Sequence, residues 1–283
     1  KTYRDEHGNL KVGRLLGLTG HAFNRRAGNT AVAQCCAQGR TSTNQTCSKY
    51  RSYYHKSIGG YHAAKLHRYQ DLIDHHLNRE LSNFTKALGA AAGDITSIKM
   101  DSIAPVLNML NTKYFIFGQK QQAFAVENIY HNGNGWFVDK LDFVPNADKE
   151  MAALHGMDTK REAVADERFR SALETQMLGQ GTVELTQYAP NEMHYKVQSE
   201  AGGVVVFSEI YYPGWTATID GKEAELGRVN YVLRALRVPA GAHEIKMEFR
   251  PTSVSTTTGI AYLAIGGIIV LLMVAIAGGI RKR

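Results

Sequence analysis

The stretch YYPGWTATIDGKEAEL, residues 211–226, decides the fold class of this chain. Asp220-Gly221 is typical of a two-residue hairpin turn, because both positions of such a turn need a positive φ. Before the turn, Trp215, Ala217 and Ile219 alternate with threonines, which is the period of a strand with one buried face. The stretch therefore predicts an antiparallel hairpin, with Trp215 on its apolar face.

The same period of two recurs from Gly179 to Phe249. It predicts strands at TVELTQY (182–188), MHYKVQ (193–198), GVVVFSEIYY (203–212), WTATID (215–220), KEAEL (222–226), YVLRALRV (231–238) and HEIKMEF (243–249). Seven short strands separated by Gly, Pro and Asn are typical of an antiparallel, immunoglobulin-like β-sandwich. We assign this domain to residues 178–252.

The chain before the sandwich predicts a mixed α/β domain over residues 53–177, which makes the fold class α+β. Leu66, Tyr69, Ile73 and Leu77 recur at the spacing of an amphipathic helix. Further elements are predicted as strands at 114–117, 122–130 and 136–144 and as helices at 147–157 and 166–177.

The first 52 residues form a poorly defined N-terminal segment. Residues 21–52 show no sustained period and few large apolar side chains, so they read as loop, as disorder or as a misread coding segment. The chain opens without an initiator Met or a signal peptide, and we expect it to begin inside a longer protein.

An uncharged run near the end of the chain, Gly259 to Ile280, predicts a transmembrane helix, which we place at residues 258–280. Its 22 residues span roughly 30 Å, the thickness of a bilayer's hydrocarbon core. The alternative is a buried core helix. Arg-Lys-Arg follows at residues 281–283, so the positive-inside rule predicts a cytoplasmic C-terminus and an extracytoplasmic soluble part.

The net charge of +7 is not gathered into one basic run, which argues against a nucleic-acid partner. A basic balance suits a protein that works beside anionic lipid or a polyprenyl phosphate. Cys35, Cys36 and Cys47 form neither a disulfide framework nor a zinc motif.

Two stretches near the first long helix offer candidate ligand groups. Gly59 and Gly60, with His62 and Lys65, precede the helix and could bind a phosphate at its N-terminus, although an ordinary turn explains the glycines equally. On the helix itself, His67, Asp71 and His75 follow at i, i+4 and i+8. That spacing can hold a divalent metal, and it also fits a solvated polar face.

Tyr212 and Trp215 are candidates for stacking on a ligand ring, with core packing as the alternative for Trp215. No GxSxG, Walker A or GxGxxG motif occurs, and no pair of carboxylates suited to hydrolysis is visible. We therefore assign no catalytic residue.

Several phrases together resemble the C-terminal part of the YfhO-type family of bacterial membrane proteins. They are LNTKYFIF (110–117), NGNGWFVDKLDFV (132–144), SEIYYPGWTATIDGKEAEL (208–226), YVLRALRVPAGAHEIKMEFRP (231–251) and the closing apolar helix. YYHKSIGGYHAAKLHRYQDLID (53–74) is similar to the family's helix-opening segment. The resemblance covers residues 53 to 283.

The resemblance implies a polytopic parent related to integral-membrane glycosyltransferases of the C superfamily. Such proteins take a sugar from a polyprenyl-phosphate carrier outside the bacterial cytoplasmic membrane and act on cell-envelope glycans. Their catalytic acidic residue lies in an early loop that has no counterpart here. The implied role is therefore recognition or structure, with no cofactor in this part and a divalent metal only in the full-length parent.

The partners implied are membrane lipid, the parent's other transmembrane helices, and a glycan or polyprenyl-phosphate substrate. The alternative is a single-pass, membrane-anchored module that binds glycan or assembles the envelope without catalysis.

Overall fold

The computed structural model describes residues 10–11, 31–34, 58, 66–91, 93–94, 97–117, 124–176 and 178–280. The strands are β1 (Leu10–Lys11), β2 (Ala31–Gln34), β3 (Thr112–Phe117), β4 (Phe124–Glu127), β5 (Gly135–Phe137), β6 (Lys140–Val144), β7 (Glu162–Asp166), β8 (Gly181–Ala189), β9 (Glu192–Ser199), β10 (Gly203–Ile210), β11 (Trp215–Ile219), β12 (Lys222–Ala224), β13 (Gly227–Val229), β14 (Leu233–Val238) and β15 (Gly241–Phe249). The α-helices are α1 (His67–Leu72), α2 (Asn78–Ala90), α3 (Met100–Ile103), α4 (Pro105–Met109), α5 (Ala147–Ala153), α6 (Arg170–Leu173) and α7 (Thr252–Ile280). The predicted α+β class is confirmed.

The predicted amphipathic helix forms and extends to Ala90. A π-helical segment, Ile73–Leu77, joins α1 to α2 without a break. The buried side chains of this helix include Leu72, Leu77 and Phe84, which pack into the larger hydrophobic core. The apolar periodicity predicted the helix, but it did not reveal the π-helical segment.

A six-stranded sheet, in the order β5-β10-β14-β13-β7-β6, forms the centre of the molecule. Its two edge strands, β5 and β6, are separated in the chain only by Val138 and Asp139. The sheet must therefore curve back on itself, because five strand spacings of about 4.8 Å would otherwise separate those edges. One bent stretch, residues 135–144, thus pairs with β10 by its first half and with β7 by its second.

Strand β10 shows how this sheet serves two cores. Val204 and Val206 point to one face and join the core beneath the helices, while Val205 and Phe207 join the core shared with the second sheet. Alternate side chains of a strand lie on opposite faces, so a strand covered on both sides reads as a continuous apolar run. The run GVVVF fits this position.

The second sheet has five strands in the order β12-β11-β15-β9-β8, all neighbours antiparallel. The predicted hairpin is present: Asp220 and Gly221 have φ of 51° and 78°. Ala217, Met247 and Tyr195 face the six-stranded sheet, so the two sheets form the predicted sandwich. All seven strands predicted between residues 182 and 249 are present.

The structure differs from the sequence prediction in four elements. The stretch 136–144 is two strands rather than one. Strands β7 and β13 were missed, because three to five residues give too little periodicity. The helix predicted at 166–177 is wrong in extent: residues 162–166 are strand, and only a 3-10 turn at Glu167–Phe169 and the short α6 follow.

Strand pairing also crosses the predicted domain boundary. Strands β5, β6 and β7 precede residue 178, and β10, β13 and β14 follow it, yet all six share one sheet. The boundary therefore passes through a hydrogen-bonded sheet. Within residues 21–52, Ala31–Gln34 form strand β2, parallel to β3, so the interpretation of this stretch as irregular is wrong for those four residues.

Helix α7 is the one described helix long and apolar enough to cross a membrane, by length and composition. It begins six residues before the predicted span, at Thr252. None of the candidate span is buried against the rest of the protein. A core helix would be largely covered, so the buried-helix alternative is wrong for this segment.

Candidate functional site

A polar cleft of about 510 Å³ lies where the first long helix meets α5. Its lining residues are Asp71, His75, His76, Arg79, Asp148, Met151, Ala152, His155 and Tyr231. Few of these side chains are apolar, and they include three imidazoles, one guanidinium and two carboxylates. The volume is that of a small-molecule site, but the walls are unusually rich in hydrogen-bonding groups.

The π-helical segment places His75 and His76 on the wall of the cleft. His76 is 4% exposed, and its Nε2 lies 3.0 Å from the Met151 carbonyl oxygen. A carbonyl only accepts, so Nε2 carries the proton and Nδ1 is an acceptor. That buried Nδ1 has no hydrogen-bond partner in the structure. Burial lowers the pKa of His76, which favours the neutral ring.

Arg79 and His155 close one side of the cleft. Arg79 Nη2 donates to His155 Nδ1 over 2.6 Å. His155 lies two residues after the end of α5, so this bond connects α2 to the segment that follows α5. With Nδ1 accepting, a neutral His155 carries its proton on Nε2. The pair thus presents N–H donors on a wall whose other side chains include carboxylate acceptors.

Asp71 and Tyr231 form the inner wall. Asp71 Oδ2 accepts from the Tyr231 hydroxyl over 2.9 Å and lies 3.0 Å from His67 Nδ1. Tyr231 and its neighbour Asn230 both have positive φ, 70° and 50°. Consecutive non-glycine residues in that region are strained and often occur at functional sites.

A buried ion pair holds the strained turn in place. Glu150 accepts from Arg228 Nη2 over 2.9 Å and from the Tyr231 backbone N–H over 3.0 Å. The Arg68 guanidinium lies over the Tyr231 ring at 4.4 Å and donates to the Tyr231 carbonyl. Burial raises the pKa of Glu150 and lowers that of Arg228, because desolvation penalises both charges. The ion pair therefore fixes the position of Tyr231, although burying its two charges costs solvation free energy.

The candidates predicted from sequence are only partly among the described residues. Gly59, Gly60, His62 and Lys65 lie outside them. Ile58, directly before these residues, is buried, and its carbonyl accepts from the Tyr69 hydroxyl over 2.6 Å. The anion site itself stays a prediction.

Tyr212 and Trp215 lie away from the cleft, at one end of the five-stranded sheet. Trp215 packs against the core between the sheets, which confirms the packing interpretation. The Arg234 guanidinium covers its ring at 3.8 Å. Tyr212 is 45% exposed. Their role in ligand stacking stays a prediction.

Among His67, Asp71 and His75, the structure shows one close contact, between His67 and Asp71. His75 lies in the π segment, which departs from the regular turn that the i, i+4, i+8 spacing assumes. Within the described residues, no group of three or more His, Cys, Asp or Glu could hold a metal ion.

Sequence reasoning missed Arg79, Asp148, His155 and Tyr231. These residues come from three separate elements, and only the fold brings them together. The local signal available was His75 and Arg79 on the exposed face of the helix, since His76 lies on the buried face with Leu72 and Glu80.

A second polar groove of about 400 Å³ lies on the outer face of the five-stranded sheet and includes Asp220 and His243. His243 Nδ1 lies 2.6 Å from Asp220 Oδ2, and this hydrogen bond raises the pKa of His243. Asp220 also accepts from the Glu244 backbone N–H, so its side chain connects the hairpin to β15.

Comparison with known proteins bears on the second half of the chain. Residues 163–261, about a third of the chain, match the family model described as bacterial membrane protein YfhO. The matched segment runs from β7 through the sandwich into the first part of α7. No curated protein and no solved structure matches the chain.

Proposed function

We propose, on the premise that this is a YfhO-type membrane protein, that the described part of the chain is an extracytoplasmic recognition domain with its last membrane span. The parent would be a glycosyltransferase that uses a lipid-linked sugar and acts on cell-envelope glycans. The domain would hold a sugar unit of the acceptor or of the polyprenyl-phosphate donor. Catalysis would belong to other parts of such a parent.

The observation that carries the proposal is the mixture of donors and acceptors in the cleft. Sugar hydroxyls both donate and accept, so they need carboxylates and basic groups on the same wall. Asp71 and Asp148 supply acceptors, and Arg79 supplies the N–H donors that its bond to His155 leaves over.

A phosphate suits this cleft less well than a sugar. Asp71 and Asp148 would repel an anion. We therefore assign the sugar to the cleft. The carrier phosphate would be bound elsewhere, and Gly59, Gly60, His62 and Lys65 remain the proposed residues for it.

The test is direct binding of bacterial envelope oligosaccharides to the chain in lipid nanodiscs, measured on a glycan array and then by calorimetry. Asp71→Asn and Arg79→Ala should each weaken binding by at least about ten-fold, because each removes one charge-assisted hydrogen bond of roughly 1.5–3 kcal/mol. Arg161→Ala is the matched control, since Arg161 is an exposed arginine paired with Asp139 outside the cleft. Absence of binding, or equal loss in the control, would refute the proposal.

The second candidate function is a single-pass module that holds envelope glycan without a transferase. The same cleft supports it, and glycan binding alone does not separate the two. Co-purification of the chain with further transmembrane segments of a longer product of the same gene favours the transferase parent.

A further inference from the structure

The five-stranded sheet has two chemically different ends. At one end lie the Asp220-Gly221 turn and the start of β15. At the other end, β15 finishes at Phe249 and only Arg250 and Pro251 precede the membrane helix. The corner at Gly214 is fixed to this second end, because the Arg250 backbone N–H donates to the Gly214 carbonyl over 2.7 Å.

Aromatic side chains collect at the end next to α7. Trp215 pairs with Phe249 at a ring separation of 5.4 Å, and Tyr212 lies 6.1 Å from the same ring. Tyr188, on the adjacent part of β8, pairs with Met193 near the turn that bonds Phe249.

The exposed hydrophobic residues of the five-stranded sheet lie at the same end as these aromatic side chains. Outside α7, the exposed large hydrophobic residues of the described chain are Leu66, Ile129, Tyr188 and Tyr212. The two that belong to the five-stranded sheet and its loops, Tyr188 and Tyr212, are 39% and 45% exposed and lie at the end that faces α7. Asp220, Lys222 and Ala242 are exposed at the opposite end.

The length of α7 indicates how far this end lies from the lipid. Its 29 residues give a helix of about 43 Å. Its apolar run, residues 259–280, accounts for about 33 Å of this length, close to the roughly 30 Å of a bilayer's hydrocarbon core. The seven residues from Thr252 to Thr258 precede the apolar run and occupy about 10 Å, so Thr252 lies near the outer edge of the headgroups.

The link between sheet and helix is short and tightly packed. Gly214 has a φ of 99°, and a Cβ at this position would lie 3.1 Å from Pro251 Cα and 3.2 Å from the Phe249 ring. The corner therefore approaches the start of α7 as closely as a glycine permits. The aromatic end of the sheet cannot move far from the membrane surface without breaking this contact.

We propose that Tyr188, Tyr212 and Trp215 form an aromatic rim that lies against the outer edge of the lipid headgroup layer of the membrane crossed by α7. The rim holds the sandwich upright, with the Asp220 turn pointing away from the bilayer. Tyr and Trp are suited to this layer, since each combines an apolar ring with a polar group, and both are enriched at membrane interfaces. The inference rests on the membrane span and not on glycan binding.

The experiment uses the two tryptophans as depth markers in nanodiscs that contain a lipid with a nitroxide on its headgroup. Trp136→Phe leaves Trp215 as the single tryptophan, and Trp215→Phe leaves Trp136, which is buried in the six-stranded sheet. A third protein carries Trp136→Phe, Trp215→Phe and Lys222→Trp, so its tryptophan is exposed at the far end. Circular dichroism verifies the fold of each.

The proposal predicts that the nitroxide lipid quenches Trp215 emission, while Trp136 and the Lys222→Trp variant keep theirs. Tyr188→Ser with Tyr212→Ser should reduce the quenching of Trp215. Equal quenching of Trp215 and Trp136, or strong quenching of the Lys222→Trp variant, overturns the proposal, the latter because the sandwich would lie flat. These nanodiscs contain no polyprenyl phosphate, so a carrier lipid cannot produce the signal.

Discussion

The Tyr231 hydroxyl donates a 2.9 Å hydrogen bond to Asp71 Oδ2, and this bond joins the sheet to the first long helix across 160 residues of sequence. It holds together the inner wall of the polar cleft, which these two residues form. Tyr231→Phe should cost about 1.5–3 kcal/mol of unfolding free energy, because a hydrogen bond to a charged group is lost. Chemical denaturation measures this, and Tyr212→Phe, at an exposed tyrosine, is the control with no expected change. An equal effect in both variants would contradict the assignment.

The buried ion pair between Glu150 and Arg228 holds Tyr231 in place, because Glu150 also accepts from the Tyr231 backbone N–H. Glu150→Ala removes the nearer of the two carboxylates beside the buried Arg228, leaving Asp166 at 3.8 Å, and should destabilise the fold by up to about 3–5 kcal/mol. Glu167→Ala removes an exposed partner of Arg170 and should cost less than about 1 kcal/mol. The double change Glu150→Leu with Arg228→Met should recover most of the loss. If Glu150→Ala costs no more than Glu167→Ala, the pair does not hold the turn.

Glu80 gives the fold a dependence on pH. Its carboxylate accepts from the backbone N–H groups of Val106 and Leu107, and burial raises its pKa to about 7. The folded state therefore binds the proton more tightly than the unfolded chain, whose value is 4.5. This contribution to stability is complete below pH 4.5 and is lost as the pH rises through about 7. Denaturation from pH 4 to 8 should show this decline in the native chain, and Glu80→Gln should remove it.

His243, in the five-stranded sheet, and Asp220, in its hairpin turn, give a second dependence of stability on pH. The hydrogen bond to Asp220 raises the pKa of His243, so the protonated ring stabilises the folded state. That stabilisation is present below the ordinary histidine value and disappears as the pH rises through the raised one. In an NMR titration, Asp220→Asn should lower the His243 pKa. His131, whose pKa is lowered by burial, is the control and should not change.

Alanine substitution at two glycines should change the stability of the fold in opposite directions. At Gly227 a Cβ would lie 2.4 Å from Leu173 Cδ1, so Gly227→Ala should cost about 1–3 kcal/mol through overpacking. At Gly89, in α2, a Cβ meets nothing within 4 Å, and alanine there should stabilise the helix by up to about 1 kcal/mol. Thermal unfolding compares the two. A stable Gly227→Ala protein would mean that α6 packs differently on β13.

The alternating pattern of the second half predicted most of its strands, because strands such as β9 and β15 have one exposed face and one buried face. It did not predict that GVVVF would lie in a sheet shared with residues 135–166, since a strand buried on both faces has no alternation to read. The cleft was hidden for a different reason. Asp71, Arg79, His155 and Tyr231 have ordinary local surroundings in sequence, and only the π turn and the strained Asn230-Tyr231 turn bring them to one place.

Histidine NMR gives the sharpest test of sugar recognition by the cleft. In the chain in nanodiscs, the ring signals of His75, His76 and His155 report the cleft, while those of His194 and His243 report the five-stranded sheet. If the cleft binds sugar, bacterial envelope oligosaccharide should cause saturable shifts of the His75, His76 and His155 signals. The signals of His194 and His243 should not shift. Unchanged signals at His75, His76 and His155, or equal shifts at all five, would contradict sugar recognition by the cleft.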